Sequence, residues 1–182
     1  NGTCSAIACP NLTIGARGKG YNFDGIDDSI SVNNHSSLYF GTDPFTISAW
    51  IKLSDLPNSI ILQKGSIGVN AEYTLRTDSD GKLFIRLSDE TVRGYIGRTS
   101  DSALTSDWQH IAVTFAGGTG SIGLRLYVNG VLVDSTDTNS GSYAIMRNND
   151  APLYFADDTV TDSNISLDEV QIFNRLLSAD EI

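Results

Sequence analysis

Three aspartates lie close together in the sequence, at positions 24, 27 and 28, in a turn that also contains Gly25. Carboxylates of this kind suit a hard cation such as calcium, which takes about six to eight oxygens from loop carboxylates and backbone carbonyls. Asp24 and Asp28 are the candidate ligands in this turn. The alternative is that both side chains accept hydrogen bonds from backbone N–H groups and only stabilise the turn. The spacing is not that of an EF-hand, so a cation here would be structural.

Basic residues are concentrated between positions 76 and 98 of an otherwise acidic chain. In the segment Leu83–Leu87, apolar residues alternate with Phe84 and Arg86, which therefore share the outward face of a strand. A basic and aromatic strip there would suit a uronate or sulfated polysaccharide, because arginine binds such anions with two parallel hydrogen bonds. The candidate ligand-binding residues are Tyr73, Arg76, Phe84, Arg86, Tyr95 and Arg98. The alternative is a solvated outer face that binds nothing.

Patterns that support catalysis are missing from the sequence. A sandwich-type glycoside hydrolase needs two carboxylates about 5 to 9.5 Å apart, and no Glu-x-Asp-x-Glu run occurs. Asp168 and Glu169 are adjacent, so on a regular strand they point to opposite faces. The Gly-x-Ser-x-Gly nucleophile elbow is also absent. Both histidines lie in motifs that look structural, and we expect Trp50 and Trp108 in the core, so an enzyme is not expected.

The two cysteines, Cys4 and Cys9, lie in a leader rich in small residues. Zinc needs about four ligands, which this pair cannot supply alone. A small disulfide is the favoured interpretation and indicates an oxidising, secreted setting, with two free thiols as the alternative. The first 20 residues lack an apolar pattern, so we expect a lead-in over residues 1–20 and a domain over residues 21–182.

The elements that must position these residues are short strands. Period-two alternation of apolar residues is clearest in Phe45–Leu53, Leu83–Leu87 and Leu124–Val128, and eleven strands are predicted in total. Asn129-Gly130 and Asp80-Gly81 are typical of hairpin turns. Many short strands without crossover helices predict an all-β fold, a two-sheet antiparallel jelly-roll sandwich. The last predicted feature is a capping box that begins at Ser178.

Size and charge limit the classes of function. A chain of 182 residues is the size of one domain. The net charge of −10 disfavours nucleic acid and anionic membranes as partners. The sequence contains no apolar run approaching the roughly 20 residues that a membrane helix needs, so membrane insertion is not expected.

Five motifs occur in a fixed order along the chain. They are FDGIDD from Phe23, FTISAW from Phe45, WQHIAV from Trp108, LYVNG from Leu126 and LDEVQIFNR from Leu167. Together they resemble the concanavalin A-like, laminin G-like domains of bacterial secreted proteins. The resemblance implies a twisted jelly roll used as an accessory module in polysaccharide-degrading enzymes and adhesins, often with structural calcium. It also implies that the strand starting at Asp168 runs close to the Asp24 turn, which makes Asp168 the third expected calcium ligand.

The function expected from these features is a non-catalytic, calcium-stabilised carbohydrate-binding module of a secreted polysaccharide-acting protein. Its partners would be a polysaccharide or other glycan, an anionic one if the arginine strip binds it, and neighbouring domains of a parent protein. We expect a secreted or cell-surface location. Two alternatives stay open: an adhesion or protein-interaction module, and a small jelly-roll polysaccharide lyase or hydrolase.

Overall fold

The computed structural model describes residues 2–4, 8–157 and 162–182. Within these residues the chain forms fourteen β-strands and two short 3-10 turns, Ser36–Leu38 and Ser121–Gly123. In chain order the strands are β1 (Asn11–Ile14), β2 (Lys19–Asp24), β3 (Ile30–Val32), β4 (Phe45–Leu53), β5 (Ile60–Lys64), β6 (Tyr73–Thr77), β7 (Lys82–Asp89), β8 (Gly94–Ala103), β9 (Gln109–Phe115), β10 (Leu124–Val128), β11 (Val131–Leu132), β12 (Ser135–Asp137), β13 (Leu153–Phe155) and β14 (Asn164–Phe173).

The strands form two antiparallel sheets of seven strands each. The first sheet has the order β1-β2-β14-β4-β9-β10-β11, and the second has the order β12-β8-β7-β6-β5-β13-β3. Strand β14 enters the first sheet between β2 and β4, so residues far apart in the sequence become neighbours. The predicted all-β, two-sheet antiparallel jelly roll is confirmed.

The core lies between the sheets and is built from alternate residues of each strand. On β4 the inward residues from Phe45 to Leu53 are at most 1% exposed, as a strand with one face against the core requires. Phe45 stacks on Phe40 with ring centroids 4.6 Å apart and also contacts Phe115 and Tyr73. This aromatic cluster fills one part of the sandwich.

Three of the fourteen strands were not predicted, namely β1, β2 and β12. Each buries few apolar side chains, because β1 and β12 are edge strands and only Phe23 of β2 is a buried large apolar residue. Such strands carry no clear period-two signal. The predicted domain boundary between residues 20 and 21 falls inside β2, which pairs with β1 on one side and β14 on the other.

The predicted hairpin at Asn129-Gly130 joins β10 to β11, with Val128 opposite Val131. Both turn residues have positive φ, 52° at Asn129 and 77° at Gly130, which is the conformation that a type I′ turn requires and that Asn-Gly favours. The predicted turn at Asp80-Gly81 likewise joins β6 to β7. Local sequence therefore determined both hairpins.

A fully buried ion pair ties the second sheet to the segment before β13. The Nζ atom of Lys64 lies 3.1 Å from Oε1 of Glu72, and both side chains are 0% exposed. Lys64 also donates to the carbonyl oxygen of Ala151 at 2.8 Å and to Oδ1 of Asn34 at 3.1 Å. The backbone N–H of Asn149 donates to Oε1 of Glu72 at 3.1 Å. The ion pair thus connects β5 and the residue before β6 to Asn34 and to the segment 149–151.

The predicted disulfide between Cys4 and Cys9 is present. Of the predicted capping box one hydrogen bond is present, in which the N–H of Ser178 donates to Oε2 of Glu181 at 2.9 Å, while the N–H of Glu181 donates to the backbone carbonyl oxygen of Ser178. Among the residues that the structure describes, no helix has the length and apolar character needed to cross a membrane.

Candidate functional site

Four of the six predicted ligand-binding residues lie on the outer face of the second sheet, as the register of β6, β7 and β8 requires. They pair with one another: the Arg76 guanidinium lies 5.1 Å from the Phe84 ring centroid, and that of Arg86 lies 4.3 Å from the Tyr95 ring centroid. Arg86 also forms an ion pair with Glu90 at 3.5 Å. Burial lowers the pKa of Arg86, and the charge of Glu90 opposes that shift. The charge of Arg86 is therefore already partly compensated.

The other two residues of the strip, Tyr73 and Arg98, point inward. Tyr73 is 0% exposed and belongs to the aromatic core, and burial raises the pKa of its phenol. Arg98 lies opposite Ile85 and donates to the carbonyl oxygen of Leu124 at 3.1 Å. A residue three positions from an outward one on a regular strand must face inward, so neither residue shares the face of the other four.

The acidic turn forms as a compact group. Carboxylate oxygens of Asp24, Asp27 and Asp28 all lie within 4.8 Å of one another. Asp28 accepts from the N–H of Asp24 at 3.0 Å, and Asp24 accepts from the N–H of Ile26 at 2.9 Å. Burial raises the pKa of Asp28, the hydrogen bond from Asp24 lowers it, and the charges of Asp24 and Asp27 raise it further. Three carboxylates this close fit a hard cation, and two of them also stabilise the turn.

Asp168 does not join this acidic group. Asp24 pairs with Asn164 on β14, and Asp168 lies four residues further along the same strand, about 13 Å away at the rise of a β-strand. Its carboxylate instead accepts from the N–H of Arg17 at 2.7 Å and from the N–H of Glu169 at 2.8 Å. The expected calcium set Asp24, Asp28 and Asp168 is therefore not brought together, and Asp27 lies where Asp168 was expected.

A groove of about 420 Å³ lies on the outer face of the first sheet, around Trp50. Trp50 is half-buried, contrary to the expectation that it belongs to the core. It lies opposite His110 on β9 and opposite Asp168 on β14. Buried Ser48 and exposed Gln171, which are paired across β4 and β14, line the groove beside it. Phe173 and Leu177 add apolar lining.

Some polar side chains of the groove, such as that of Asn129, have hydrogen-bond partners within the protein. In the part of the chain that the structure describes, the side chains of Arg17, Glu169 and Gln171 make no hydrogen bond or ion pair. The His110 ring lies 5.5 Å from the Trp50 ring. Burial lowers the pKa of His110 and the nearby positive charge of Arg17 lowers it further, so the imidazole is neutral at pH 7.

A β-bulge positions the acidic residue of the groove. The register of β14 against β4 shifts between Asp168 and Gln171, and Glu169 has a φ of 48°. Bulges commonly redirect a side chain beside a functional site. The bulge leaves Glu169 exposed in the groove, while Val170 packs against the core. The rule for regular strands therefore does not hold for Asp168 and Glu169.

Sequence reasoning missed this groove, although part of its signal was available. The alternation Phe45, Ile47, Ala49, Ile51 and Leu53 leaves Trp50 on the outward face. The same parity on β9 turns His110 outward beside it, so Trp50 does not lie in the core as expected and both residues line the groove. The bulge and the approach of Arg17 have no comparable signal in the sequence.

Comparison with known proteins identifies the family. The family model described as the concanavalin A-like lectin/glucanases superfamily, of the laminin G type, matches residues 23–182. The botulinum-like toxin eBoNT/J of Enterococcus sp. (strain 3G1_DIV0629) is 25% identical over 174 residues, which cover 86% of this chain and 13% of the toxin. The chain thus spans a small part of that relative's length.

Solved structures show the same fold. The binding domain of Paraclostridial Mosquitocidal Protein 1 matches with a TM-score of 0.72 at 21% identity, over 100% of this chain and 45% of that one. Domain 4 of AbnA, a GH43 extracellular arabinanase from Geobacillus stearothermophilus, matches with a TM-score of 0.63 at 16% identity, over 94% of this chain and 78% of that one. With two seven-stranded antiparallel sheets and a family match over residues 23–182, this chain belongs to the concanavalin A-like lectin/glucanases superfamily.

Proposed function

We propose that this chain is a non-catalytic glycan-binding module of a longer, secreted protein, and that it binds its glycan in the Trp50 groove. The observation that carries the proposal is a half-buried indole in a groove that also contains the side chains of Arg17, Glu169 and Gln171, for which the described part of the chain provides no polar partner. Aromatic rings contact the apolar faces of sugar rings, and a few polar groups fix the orientation of a ligand. The groove supplies both. The disulfide Cys4–Cys9 is compatible with secretion.

Ligands of proteins with this fold support the proposal. Domain 4 of the arabinanase was solved in complex with arabinotriose. The binding domain of botulinum neurotoxin DC was solved in complex with SialylT. Their sequence identity to this chain is 16% in both cases, so the likeness concerns the fold and the ligand is a proposal for this chain.

The chemistry of the groove favours binding over hydrolysis. Glycoside hydrolysis uses two carboxylates with separate roles. The groove contains Glu169 and Glu181, but Glu181 is paired with Arg175 at 2.8 Å. The hydrogen bond from Arg175, together with that from the Ser178 N–H, lowers the pKa of Glu181 to about 2. A carboxylate held ionised in this way is a poor general acid, which supports a module without catalytic activity.

Replacing Trp50 with alanine is expected to weaken glycan binding about 10- to 100-fold, because burying a large aromatic side chain against a ligand contributes roughly 1.5–3 kcal/mol. Affinity electrophoresis in gels that contain immobilised polysaccharides measures the retention. The matched control is Arg76→Ala combined with Arg86→Ala, which removes two half-buried arginine charges from the outer face of the other sheet. Loss of retention in the control and not in Trp50→Ala would instead place binding on the second sheet and favour an anionic glycan.

We also propose that the acidic turn holds structural calcium, with Asp24, Asp27 and Asp28 as its side-chain ligands. Three carboxylates within 4.8 Å support this set. Burial first, and then the charges of Asp24 and Asp27, raise the pKa of Asp28, and a cation would offset this repulsion. Calcium bound there would fix the turn between β2 and β3 at one edge of the sandwich.

Chelation of calcium is expected to lower the melting temperature by about 5–10 °C when the free ion is at about 100 times its Kd. The physical reason is that only the folded turn brings the three carboxylates together. Differential scanning calorimetry with and without a chelator measures the shift. Asp27→Asn is the sharpest variant because Asp24 and Asp28, not Asp27, hold the turn hydrogen bonds. With or without chelator, this variant should have the melting temperature of the calcium-free wild type. Equal melting temperatures of the wild-type protein with calcium and with chelator would contradict the assignment.

An adhesion or protein-interaction module is the second candidate. Edge strand β1 exposes Leu12 at 61% and Ile14 at 84%, and an unpaired apolar edge is a typical docking surface for another polypeptide. The Trp50→Ala variant separates the two candidates. It should still bind a protein partner that docks along β1, whereas it should lose a glycan that binds in the groove.

A further inference from the structure

We propose that the Trp50 groove selects uncharged saccharides over acidic ones, and that Glu169 is the specificity-determining residue. The inference rests on the proposed glycan-binding function and adds the class of ligand. It differs from the expectation of an anionic glycan, which rested on the arginine strip of the other sheet.

The first argument is the balance of charge in the groove. The groove contains the positively charged side chain of Arg17 and the carboxylate of Glu169. Neither side chain has a polar partner among the described residues. Glu181 adds a second carboxylate, whose charge is held by Arg175 outside the groove lining. The groove therefore has no excess of positive charge, and it belongs to a chain of net charge −10. An acidic sugar would therefore gain no net attraction from the groove, and the net negative charge of the whole molecule would repel it.

The second argument is the position of Glu169. Its backbone adopts a positive φ of 48° within the bulge, and its N–H is held by the buried carboxylate of Asp168 at 2.8 Å. The fold thus fixes the backbone position from which the exposed Glu169 side chain extends, in the groove that Trp50 also lines. Two carboxylate oxygens accept hydrogen bonds from two neighbouring hydroxyl groups of a sugar, and such charge-assisted bonds are stronger than neutral ones.

The third argument is the neutral polar chemistry of the remaining lining. Gln171 offers an amide, Ser48 a hydroxyl and Asn129 a second amide. These groups match hydroxyl groups in both donor and acceptor roles. Arg17 can donate to hydroxyl or ring oxygens without requiring an anion. A neutral saccharide can hydrogen-bond to these groups, whereas a uronate would also bring a second carboxylate into a groove that already holds Glu169.

The experiment is a glycan array probed with the wild-type chain, Trp50→Ala, Glu169→Gln and Arg17→Gln. The array carries neutral arabinose, mannose, glucose and galactose oligomers beside mannuronate, galacturonate, sialylated and sulfated ones. Linkage-matched mannose and mannuronate hexamers are then compared by titration calorimetry. We expect wild-type binding to neutral members, loss of binding in Trp50→Ala, and about tenfold weaker binding in Glu169→Gln, which removes the charge and keeps the size. Glu169→Gln should also lower the ratio of the affinity for neutral glycans to the affinity for acidic glycans, and Arg17→Gln should raise this ratio.

The outcomes separate the inference from the proposed function. Acidic glycans bound by the wild type and lost in Trp50→Ala would overturn the inference while the groove remained the glycan site. An unchanged neutral-to-acidic ratio in a folded Glu169→Gln protein would overturn the role of Glu169. Glycan binding that survives Trp50→Ala, or no bound glycan at all, would overturn the proposed function and the inference with it.

Discussion

Replacing Lys64 with methionine is expected to destabilise the fold by about 3–5 kcal/mol, because the substitution leaves the carboxylate of Glu72 buried without its counter-charge. Lys64 and Glu72 are both 0% exposed and lie 3.1 Å apart. The change also leaves the carbonyl oxygen of Ala151 and Oδ1 of Asn34 without their donor. Urea denaturation followed by tryptophan fluorescence measures the free energy of unfolding.

A matched variant and a double variant make this measurement specific. Lys82 pairs with Asp80 at 4.0 Å near the surface, so Lys82→Met should change the free energy of unfolding by no more than about 0.5 kcal/mol. Combining Lys64→Met with Glu72→Leu removes both charges and should recover part of the loss. Equal midpoints for Lys64→Met and Lys82→Met would show that the ion pair does not hold the segments together.

Replacing Asp168 with alanine is expected to cost about 3 kcal/mol of stability and also to weaken glycan binding. Its buried carboxylate accepts from the N–H groups of Arg17 and Glu169, and hydrogen bonds to a charged group contribute about 1.5–3 kcal/mol each. Those two residues supply two of the charged side chains of the groove, so Asp168 is a positioning residue. Gly15 supports this contact, because a Cβ atom there would lie 2.3 Å from Oδ2 of Asp168.

Asp78 offers a control with the same local role and a different location. Its Oδ1 accepts from the N–H groups of Asp80 and Lys82 at 2.9 and 3.0 Å, in the second sheet and away from the groove. Asp78→Ala should lower stability and leave glycan affinity unchanged, whereas Asp168→Ala should change both. The readout is the Kd at a temperature where both variants are fully folded. Equal losses of glycan affinity in Asp78→Ala and Asp168→Ala would show that Asp168 acts through general stability and not by positioning Arg17 and Glu169.

The fold class follows from the local sequence, because strands with one buried face impose a period of two on the chain. The inward residues of β4 follow that period without exception, and the type I′ hairpin at Asn129-Gly130 follows from local conformational preference. The outward placement of Phe84 and Arg86 was predicted for the same reason. These features depend on residues only a few positions apart.

Which charged side chains are available to a ligand, and which residues contact one another, depends on how the strands assemble. Arg86 is engaged by Glu90 and Tyr95, whereas Arg17 is free to line a groove. The contact between Arg17 and Asp168 joins residues 151 positions apart. It exists because β14 pairs with β2 and β4, and its register shift places Glu169 beside Trp50. Local periodicity fixes which face a side chain takes, but not which strand lies next to it, so the groove emerges only when the sheets assemble.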